Sequence, residues 1–98
     1  MLRAGIYARV SKYDRQNLPW QVRAMRRYAK DRGWAVAVQV NEVGGGAGVR
    51  DLREKILDTA RHRDIDVVLV WRLDRWARSM TDLITTLKEL NDTKLYTP

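Results

Sequence analysis

Short apolar runs alternate with amphipathic stretches along the chain. The runs at residues 3–9, 34–40 and 66–71 have the length of strands and are bounded by polar or breaker-rich segments, which is typical of buried β-strands. Each run is followed by apolar residues at helical spacing, which indicates an amphipathic helix. The predicted core-facing positions of these helices are Leu18, Val22, Met25 and Ala29; Leu52, Ile56, Leu57 and Ala60; and Met80, Leu83, Ile84, Leu87 and Leu90. The pattern predicts a β-α-β-α-β-α order, and residues 94–96 suit one further short strand.

Proline, glycine and capping residues set the predicted helix boundaries. Pro19 suits the first turn of a helix, where its missing N–H costs no hydrogen bond, and Gly33 suits the position after the last turn. Residues 51–54 and 79–82 each place an Asp or Ser three residues before an acidic residue, which is the capping-box spacing. Residues 11–18 are predicted to be a loop, because they are polar and lack helical periodicity.

The strands are predicted to form one parallel sheet. In the run at 34–40 the valines alternate with residues that are mostly apolar too, which predicts a strand buried on both faces. The β-branched run at 66–71 indicates a central strand. The expected fold class is therefore α/β, a three-layer sandwich with a mostly parallel central sheet flanked by helices. Because the carboxyl ends of parallel strands share one edge, Ser11, the loop Gly44–Gly48 and residues 73–78 should meet there.

Length and composition narrow the class of protein. The chain has 98 residues, which suits one small domain. It has no apolar run of about 18 residues and no apolar signal-peptide region at its start, so we expect a cytoplasmic protein without a membrane partner. With no cysteine and one histidine, the chain cannot form a disulfide framework, a thiolate metal site or a multi-histidine metal centre.

The charge balance favours a polyanionic partner. The net charge is +7, and 14 arginines stand against 5 lysines. The planar guanidinium suits bidentate contacts with phosphate and keeps its charge at every physiological pH. Nucleic acid is therefore the first candidate partner, and a solvated basic surface without a partner is the alternative.

The predicted edge of the sheet collects the residues that could carry chemistry, namely Arg9, Ser11, Arg50, Asp74, Arg75 and Arg78. Several guanidinium groups around one hydroxyl repel each other and are costly to bury unpaired. Around a phosphate they would stabilise the charge of a phosphoryl-transfer transition state, and Ser11 could be the nucleophile. An ordinary serine at the end of a strand remains the alternative.

The motifs carry a family resemblance. The segment Tyr7–Ser11, followed by Gln21, the strand Asp66–Val70 and the segment Leu73–Ser79, resembles the catalytic domain of the serine recombinases, the resolvases, invertases and related integrases. The resemblance implies cleavage of both DNA strands through a covalent 5′-phosphoserine intermediate, with no metal or other cofactor. It also implies double-stranded DNA as the partner, and a homodimer and tetramer in the full-length protein.

The resemblance also implies roles for particular residues. Ser11 would be the nucleophile, Arg9 would bind the phosphate, and Arg75 and Arg78 would complete the phosphate pocket. Asp74 would hold these arginines or assist proton transfer. The supporting residues would be Gln21, Arg50, Glu42, Tyr7 and Asp66, with Glu42 standing where the family commonly has aspartate, and Arg61 could fill the place of a basic residue near the end of the second helix.

The resemblance covers residues 1–98 as one catalytic domain that is incomplete at its C-terminus. We expect the dimer helix and the DNA-binding domain to be absent, so the isolated chain should be a monomer or weak oligomer and inactive. Two other functions stay open: a non-catalytic DNA-binding or assembly fragment, and a nucleotide-binding module built on Gly44–Gly48. That loop lacks the G-K-[ST] ending and the GxGxxG spacing. The tryptophans could stack on bases, but Trp34, Trp71 and Trp76 are predicted to pack in the interior.

Overall fold

Parallel strands form a single sheet in a computed structural model that describes residues 1–44, 52–71, 76–77, 79–90 and 93–97. The strands are β1 (Arg3–Val10), β2 (Ala35–Val43), β3 (Val67–Val70) and β4 (Lys94–Tyr96), in the order β2-β1-β3-β4. The helices are α1 (Leu18–Asp31), α2 (Arg53–Arg61) and α3 (Met80–Leu90), and a 3₁₀ helix (Lys12–Asn17) precedes α1. Each strand pairs in parallel with its neighbours, so the predicted element order, the parallel sheet and the further short strand are confirmed.

The sheet separates two apolar clusters, which confirms the three-layer arrangement. Successive residues of a strand point to opposite faces. Ile6 and Ala8 of β1 therefore pack with Met25 and Ala29 of α1 on one face. Tyr7 faces the other side, where it belongs to a cluster with buried residues of β3, α2 and α3. Arg9 lies two residues after Tyr7 on β1, so it points to the same side of the sheet, the side of α2 and α3.

Most helix boundaries follow the predicted signals. Pro19 lies in the first turn of α1, and Gly33 follows that helix with a φ of +75°, a conformation that glycine adopts without strain. Ser79 Oγ accepts a hydrogen bond from the backbone N–H of Asp82 at 3.0 Å, which confirms the capping of α3. At α2 the residue before the helix is Leu52, which makes no side-chain cap, and the capping pair predicted from residue 51 begins outside the described residues.

The segment predicted to be a loop after β1 is helical instead. Residues 12–17 form a 3₁₀ helix, which the backbone N–H of Asp14 opens by donating to the carbonyl of Ser11 at 3.0 Å. Short i→i+3 turns need no apolar periodicity, because each is held by its own backbone hydrogen bond. The sequence pattern therefore carried no signal for this element.

The prediction that the second strand is buried on both faces is wrong. Ala35, Ala37 and Asn41 are exposed, and only Val40 and Glu42 of β2 are buried. Among the described strands β2 is an outer one, paired with β1 alone, so part of each face lies beyond the cover of the helices. Alanine suits such a half-covered strand as well as a buried one, which is why composition could not separate the two.

The predicted buried side of α3 is partly wrong as well. Met80, Ile84 and Leu87 are 71%, 50% and 43% exposed, whereas Thr86 and Leu90 are buried. Thr86 faces inward because its hydroxyl accepts a hydrogen bond from the indole of Trp76 at 3.0 Å. Polar contacts thus set the rotation of α3 about its axis and leave an apolar stripe on its outer side.

None of the helices in the described parts of the chain is both long and apolar enough to cross a membrane.

Candidate active site at the carboxyl ends of the strands

Ser11 lies directly after β1, at the carboxyl edge of the sheet. Its side chain is half-buried, and its hydroxyl donates a hydrogen bond to Asp14 Oδ2 at 2.9 Å rather than capping the backbone of the 3₁₀ helix. A carboxylate therefore accepts a hydrogen bond from the hydroxyl of the candidate nucleophile. Sequence reasoning missed Asp14, although its spacing of three residues after a serine was the available signal.

Arg9 joins the ends of two strands at this edge. It is paired in register with Glu42 of β2, and its Nε donates to the carbonyl of Gly44 at 3.4 Å. The backbone N–H of Gly44 in turn donates to the carbonyl of Val10 at 2.8 Å. The start of the glycine-rich segment is thereby fixed beside the strand that carries Arg9 and Ser11.

Tyr7 and Glu42 form a buried pair beneath this edge. The phenolic hydroxyl of Tyr7 donates a hydrogen bond to Glu42 Oε2, and the residues are 2% and 4% exposed. The ring of Tyr7 also packs edge-on against Trp76, with centroids 5.6 Å apart and planes at 88°. Through these contacts β1, β2 and the segment around Trp76 share one packed centre.

Trp76 is an interior packing residue, as predicted, since it is 1% exposed. Trp76 is the middle of the arginine motif, and its own ring packs against Tyr7 of β1. The predicted site residues Arg50, Asp74, Arg75 and Arg78 themselves lie outside the described residues.

Arg53 is a second residue that sequence reasoning missed. Its side chain is 8% exposed, its Nη1 donates to the carbonyl of Trp76 at 2.6 Å, and Nη1 and Nη2 donate to the two carboxylate oxygens of Asp82 at 2.7 and 3.1 Å. Position 53 precedes the buried Ile56 and Leu57 by three and four residues, which places all of them on one face of α2. That spacing was the signal for its burial.

Gln21 is buried in the first half of α1, with 8% exposure. Its Oε1 has no hydrogen-bond partner among the residues that the structure describes. A buried acceptor without a donor carries a desolvation cost, and native structures keep few of them. A donor from a bound group would remove that cost.

Asp66 is not brought to this edge. It precedes β3, and its Oδ2 accepts from the backbone N–H of Arg3 at 2.8 Å and from Arg3 Nε at 3.4 Å. Arg3 begins the strand whose far end leads to Ser11, so the two ends are roughly 25 Å apart at the usual rise per residue. The backbone N–H of Arg3 is the main cause that lowers the pKa of Asp66 below its ordinary value.

Arg61 also lies away from the edge, at the last turn of α2. It is paired with Asp58 at 2.5 Å, with Glu89 of α3 at 3.2 Å and with Glu54 at 3.5 Å. These contacts give it the surface role of joining α2 to α3.

Comparison with known proteins assigns the family. The family "Resolvase, N terminal domain" matches residues 4–96. Transposon Tn552 resolvase of Staphylococcus aureus is 36% identical over 86 residues, which are 88% of this chain and 40% of that protein. This chain therefore belongs to the resolvase N-terminal domain family, and it spans about two fifths of the length of that relative.

Solved structures agree with this assignment. The C-terminal catalytic domain of ISC1926 TnpA, an IS607-like serine recombinase, matches with a TM-score of 0.82 and 27% identity over 98% of this chain and 69% of that one. The N-terminal catalytic domain of TP901-1 integrase matches with a TM-score of 0.79 and 25% identity over 97% of this chain and 75% of that one. The predicted fold class and the resemblance to serine recombinases are confirmed.

Proposed function

We propose that this chain is the catalytic domain of a site-specific DNA recombinase, with Ser11 as the nucleophile. The observation that carries the proposal is the hydroxyl of Ser11 at the carboxyl edge of a parallel sheet, two residues after Arg9 and held by the carboxylate of Asp14. Open α/β sheets bind ligands at this edge. Support for DNA as the substrate comes from the family, from the net charge of +7 and from the arginines of the motifs.

The reaction is an exchange of phosphate esters. Ser11 Oγ attacks the phosphorus of a DNA phosphodiester, the Oγ–P bond forms, and the P–O bond to the 3′ oxygen breaks. The products are a 5′-phosphoserine ester and a 3′-hydroxyl. Ser11 loses one proton, for which Asp14 is the acceptor that the geometry offers, and the departing 3′ oxygen gains one from water or a protein group. Ester bonds are conserved, so rejoining is the same step in reverse.

The basic residues stabilise the charge of the transition state in this proposal. Arg9, Arg50, Arg75 and Arg78 bind the phosphate oxygens, and fixed cations in a partly dry site stabilise developing charge more than water does. Asp74 holds these arginines or assists proton transfer. Gln21, which is buried on α1, is a supporting residue in this proposal.

The remaining assignments concern the whole protein. Residues 1–98 form the catalytic domain of the recombinase in this proposal. The partners are double-stranded DNA and further copies of the same protein, in the cytoplasm. Tyr7 and Glu42 are supporting residues beneath the site. The hydrogen bond between them joins β1 to β2, and the ring of Tyr7 packs against Trp76.

A chimera provides the direct test. This chain replaces the matching segment of Tn552 resolvase, whose remaining domains bring it to the recombination site of that protein. On a site nicked near the cleavage point, the chimera should form a covalent protein–DNA adduct. Ser11→Ala should abolish the adduct while leaving the fold intact, because the Ser11 side chain makes no backbone cap. Ser79→Ala is the matched control and should keep it, since Ser79 serves to cap α3.

The outcomes separate the candidate functions. An adduct that survives Ser11→Ala excludes Ser11 as the nucleophile. A folded chimera that binds the site but forms no adduct favours the non-catalytic DNA-binding fragment. A rise in the melting temperature of the isolated chain with millimolar ATP or NAD would instead favour the nucleotide-binding module.

A further inference from the structure

We propose that Arg53 is a positioning residue for this reaction, which holds the backbone at Trp76 and thereby sets where Arg75 and Arg78 stand relative to Ser11. The inference rests on the proposed function, because the phosphate pocket belongs to that function. Neither the sequence motifs nor the resemblance gives Arg53 a role.

Arg53 joins separate parts of the chain at one point. Its Nη1 donates to the Trp76 carbonyl at 2.6 Å, and its two terminal nitrogens donate to both carboxylate oxygens of Asp82. Its guanidinium carbon also lies 5.4 Å from the centroid of the Trp76 ring. One side chain of α2 therefore fixes both the backbone and the ring of Trp76 against the first turn of α3. We call this arrangement the Arg53 clamp.

Stability alone gives little reason for such a clamp. The Arg53 and Asp82 side chains are 8% and 23% exposed, so both charges lie largely out of water, which is costly. Apolar side chains of similar size often replace such an ion pair with no loss of stability. Position 53 shares a face with Ile56 and Leu57, where a leucine would extend the core. What the guanidinium adds is direction, because its planar fork donates to a carboxylate and to a carbonyl along fixed lines.

The clamp acts on the arginine motif through the covalent chain. Trp76 is bonded directly to Arg75, and only Ala77 stands between it and Arg78. Successive Cα atoms are about 3.8 Å apart. Fixing the backbone at Trp76 therefore restricts the positions that the Cα atoms of Arg75 and Arg78 can take. Tyr7 packs on the same indole and lies on the strand that leads to Ser11. The clamp thus relates the arginine motif to the nucleophile.

The test removes the clamp while keeping a packed interior. The double variant Arg53→Met/Asp82→Leu replaces the ion pair with apolar side chains, so the chain should fold with a urea midpoint near that of the parent. Arg53→Lys keeps the charge but loses the fork. Arg61→Met is the matched control, because Arg61 also links α2 to α3 through ion pairs but lies at the other end of α2.

Two measurements follow each variant. Hydrogen exchange of the backbone amides of residues 75–79 is measured in the isolated chain, and the rate of adduct formation at saturating DNA is measured in the Tn552 chimera. Loss of the clamp should speed exchange at these amides at least about tenfold and slow adduct formation about 100-fold, because small displacements of catalytic groups cost about that much in rate. Arg53→Lys should show the same direction of change, and Arg61→Met should change neither quantity.

The proposed function and the positioning role of Arg53 can be rejected independently of each other. Parental adduct rates in the folded double variant, or an equal loss in Arg61→Met, would overturn the positioning role. If the parent chimera forms no adduct, the proposed function fails. The exchange measurement on residues 75–79 still decides whether Arg53 holds the backbone at Trp76. Unchanged exchange in both Arg53 variants would overturn the clamp itself. If the double variant does not fold, Arg53→Lys provides the same comparison.

Discussion

Tyr7 donates a hydrogen bond to Glu42 across the parallel strands β1 and β2, and both side chains are buried directly beneath the candidate active site. The phenol of Tyr7 therefore has a polar role in addition to its packing in the core. It satisfies a carboxyl group that would otherwise be buried without this donor, and its ring reaches Trp76 on the other side.

Tyr7→Phe should lower the free energy of unfolding by about 1–3 kcal/mol, because the Glu42 carboxyl group loses its donor while remaining buried. Urea unfolding followed by tryptophan fluorescence measures this change. Tyr13→Phe is the matched control and should change the free energy by less than about 0.5 kcal/mol, since Tyr13 is 80% exposed. Equal effects of the two variants would show that the Tyr7 hydroxyl contributes nothing specific.

Much of the fold follows from periodicity, because burial on a strand or a helix imposes a repeat on the sequence. The apolar face of α1, with Met25 and Ala29 buried, was predicted in this way. Periodicity fails where polar contacts set the orientation. Met80, Ile84 and Leu87 have the spacing of a buried face, yet α3 presents Thr86 inward because its hydroxyl receives the indole N–H of Trp76.

The residues of the candidate site likewise differ in whether the sequence could predict them. Ser11 and Arg9 could be located from a short motif, since the motif lies at the end of a predictable strand. Arg53 lies in no such motif. Its spacing from Ile56 and Leu57 indicated the buried face of α2, but its partners lie more than 20 residues away along the chain and could not be read from the sequence. Asp66 was predicted to be a supporting residue because it opens the strand of a motif. It precedes β3, where it accepts a hydrogen bond from the backbone N–H of Arg3, and so lies at the end of the sheet opposite to Ser11.

The Asp66 carboxylate should make stability depend on pH in the acid range. Its pKa is lowered in the folded protein, chiefly by the backbone N–H of Arg3, so the folded state favours the ionised form. Its contribution is present above the unfolded pKa, near 3.8, and is lost as the pH falls through the lower folded value. Asp66→Asn should therefore be less stable than the parent at pH 6, and the difference should shrink toward pH 2.

Urea midpoints measured from pH 2 to pH 6 test this dependence. Asp31→Asn is a suitable control, because Asp31 is 70% exposed and 4.0 Å from its partner Arg27. A constant difference between Asp66→Asn and the parent at all pH values would contradict the linkage.

Gly5 marks a close approach within the core. A Cβ at this position would meet Ile65 Cδ1 at 3.0 Å and Val38 Cγ1 at 3.1 Å, and the β1–β2 register shifts between Ala4 and Gly5. Gly5→Ala should therefore destabilise the chain by about 1–2 kcal/mol through overpacking. Thermal unfolding measures the loss, and Ala37→Val, at an exposed position of β2, should stay within about 0.5 kcal/mol of the parent. A neutral Gly5→Ala would mean that the two neighbouring side chains move aside freely.

Binding of the isolated chain to duplex DNA should be weak, independent of sequence and sensitive to salt. If Arg9, Arg50, Arg75 and Arg78 each contact a phosphate, the logarithm of affinity should fall with the logarithm of salt at a slope near −3.6, which is roughly a 100-fold loss between about 50 and 200 mM. Fluorescence anisotropy with a labelled duplex measures this slope.

Arg9→Gln should reduce the magnitude of that slope by about 0.9, because one fewer counterion is released when the DNA binds. Arg27→Gln removes the same charge from the outer face of α1, where Arg27 is 85% exposed and lies beside Asp31, so the slope should stay at the parental value. Both variants have the same net charge, and only a local phosphate contact predicts different slopes for them. Identical slopes for the two variants would mean that DNA responds to the overall charge of the chain, and Arg9 would then lose its place in the phosphate pocket.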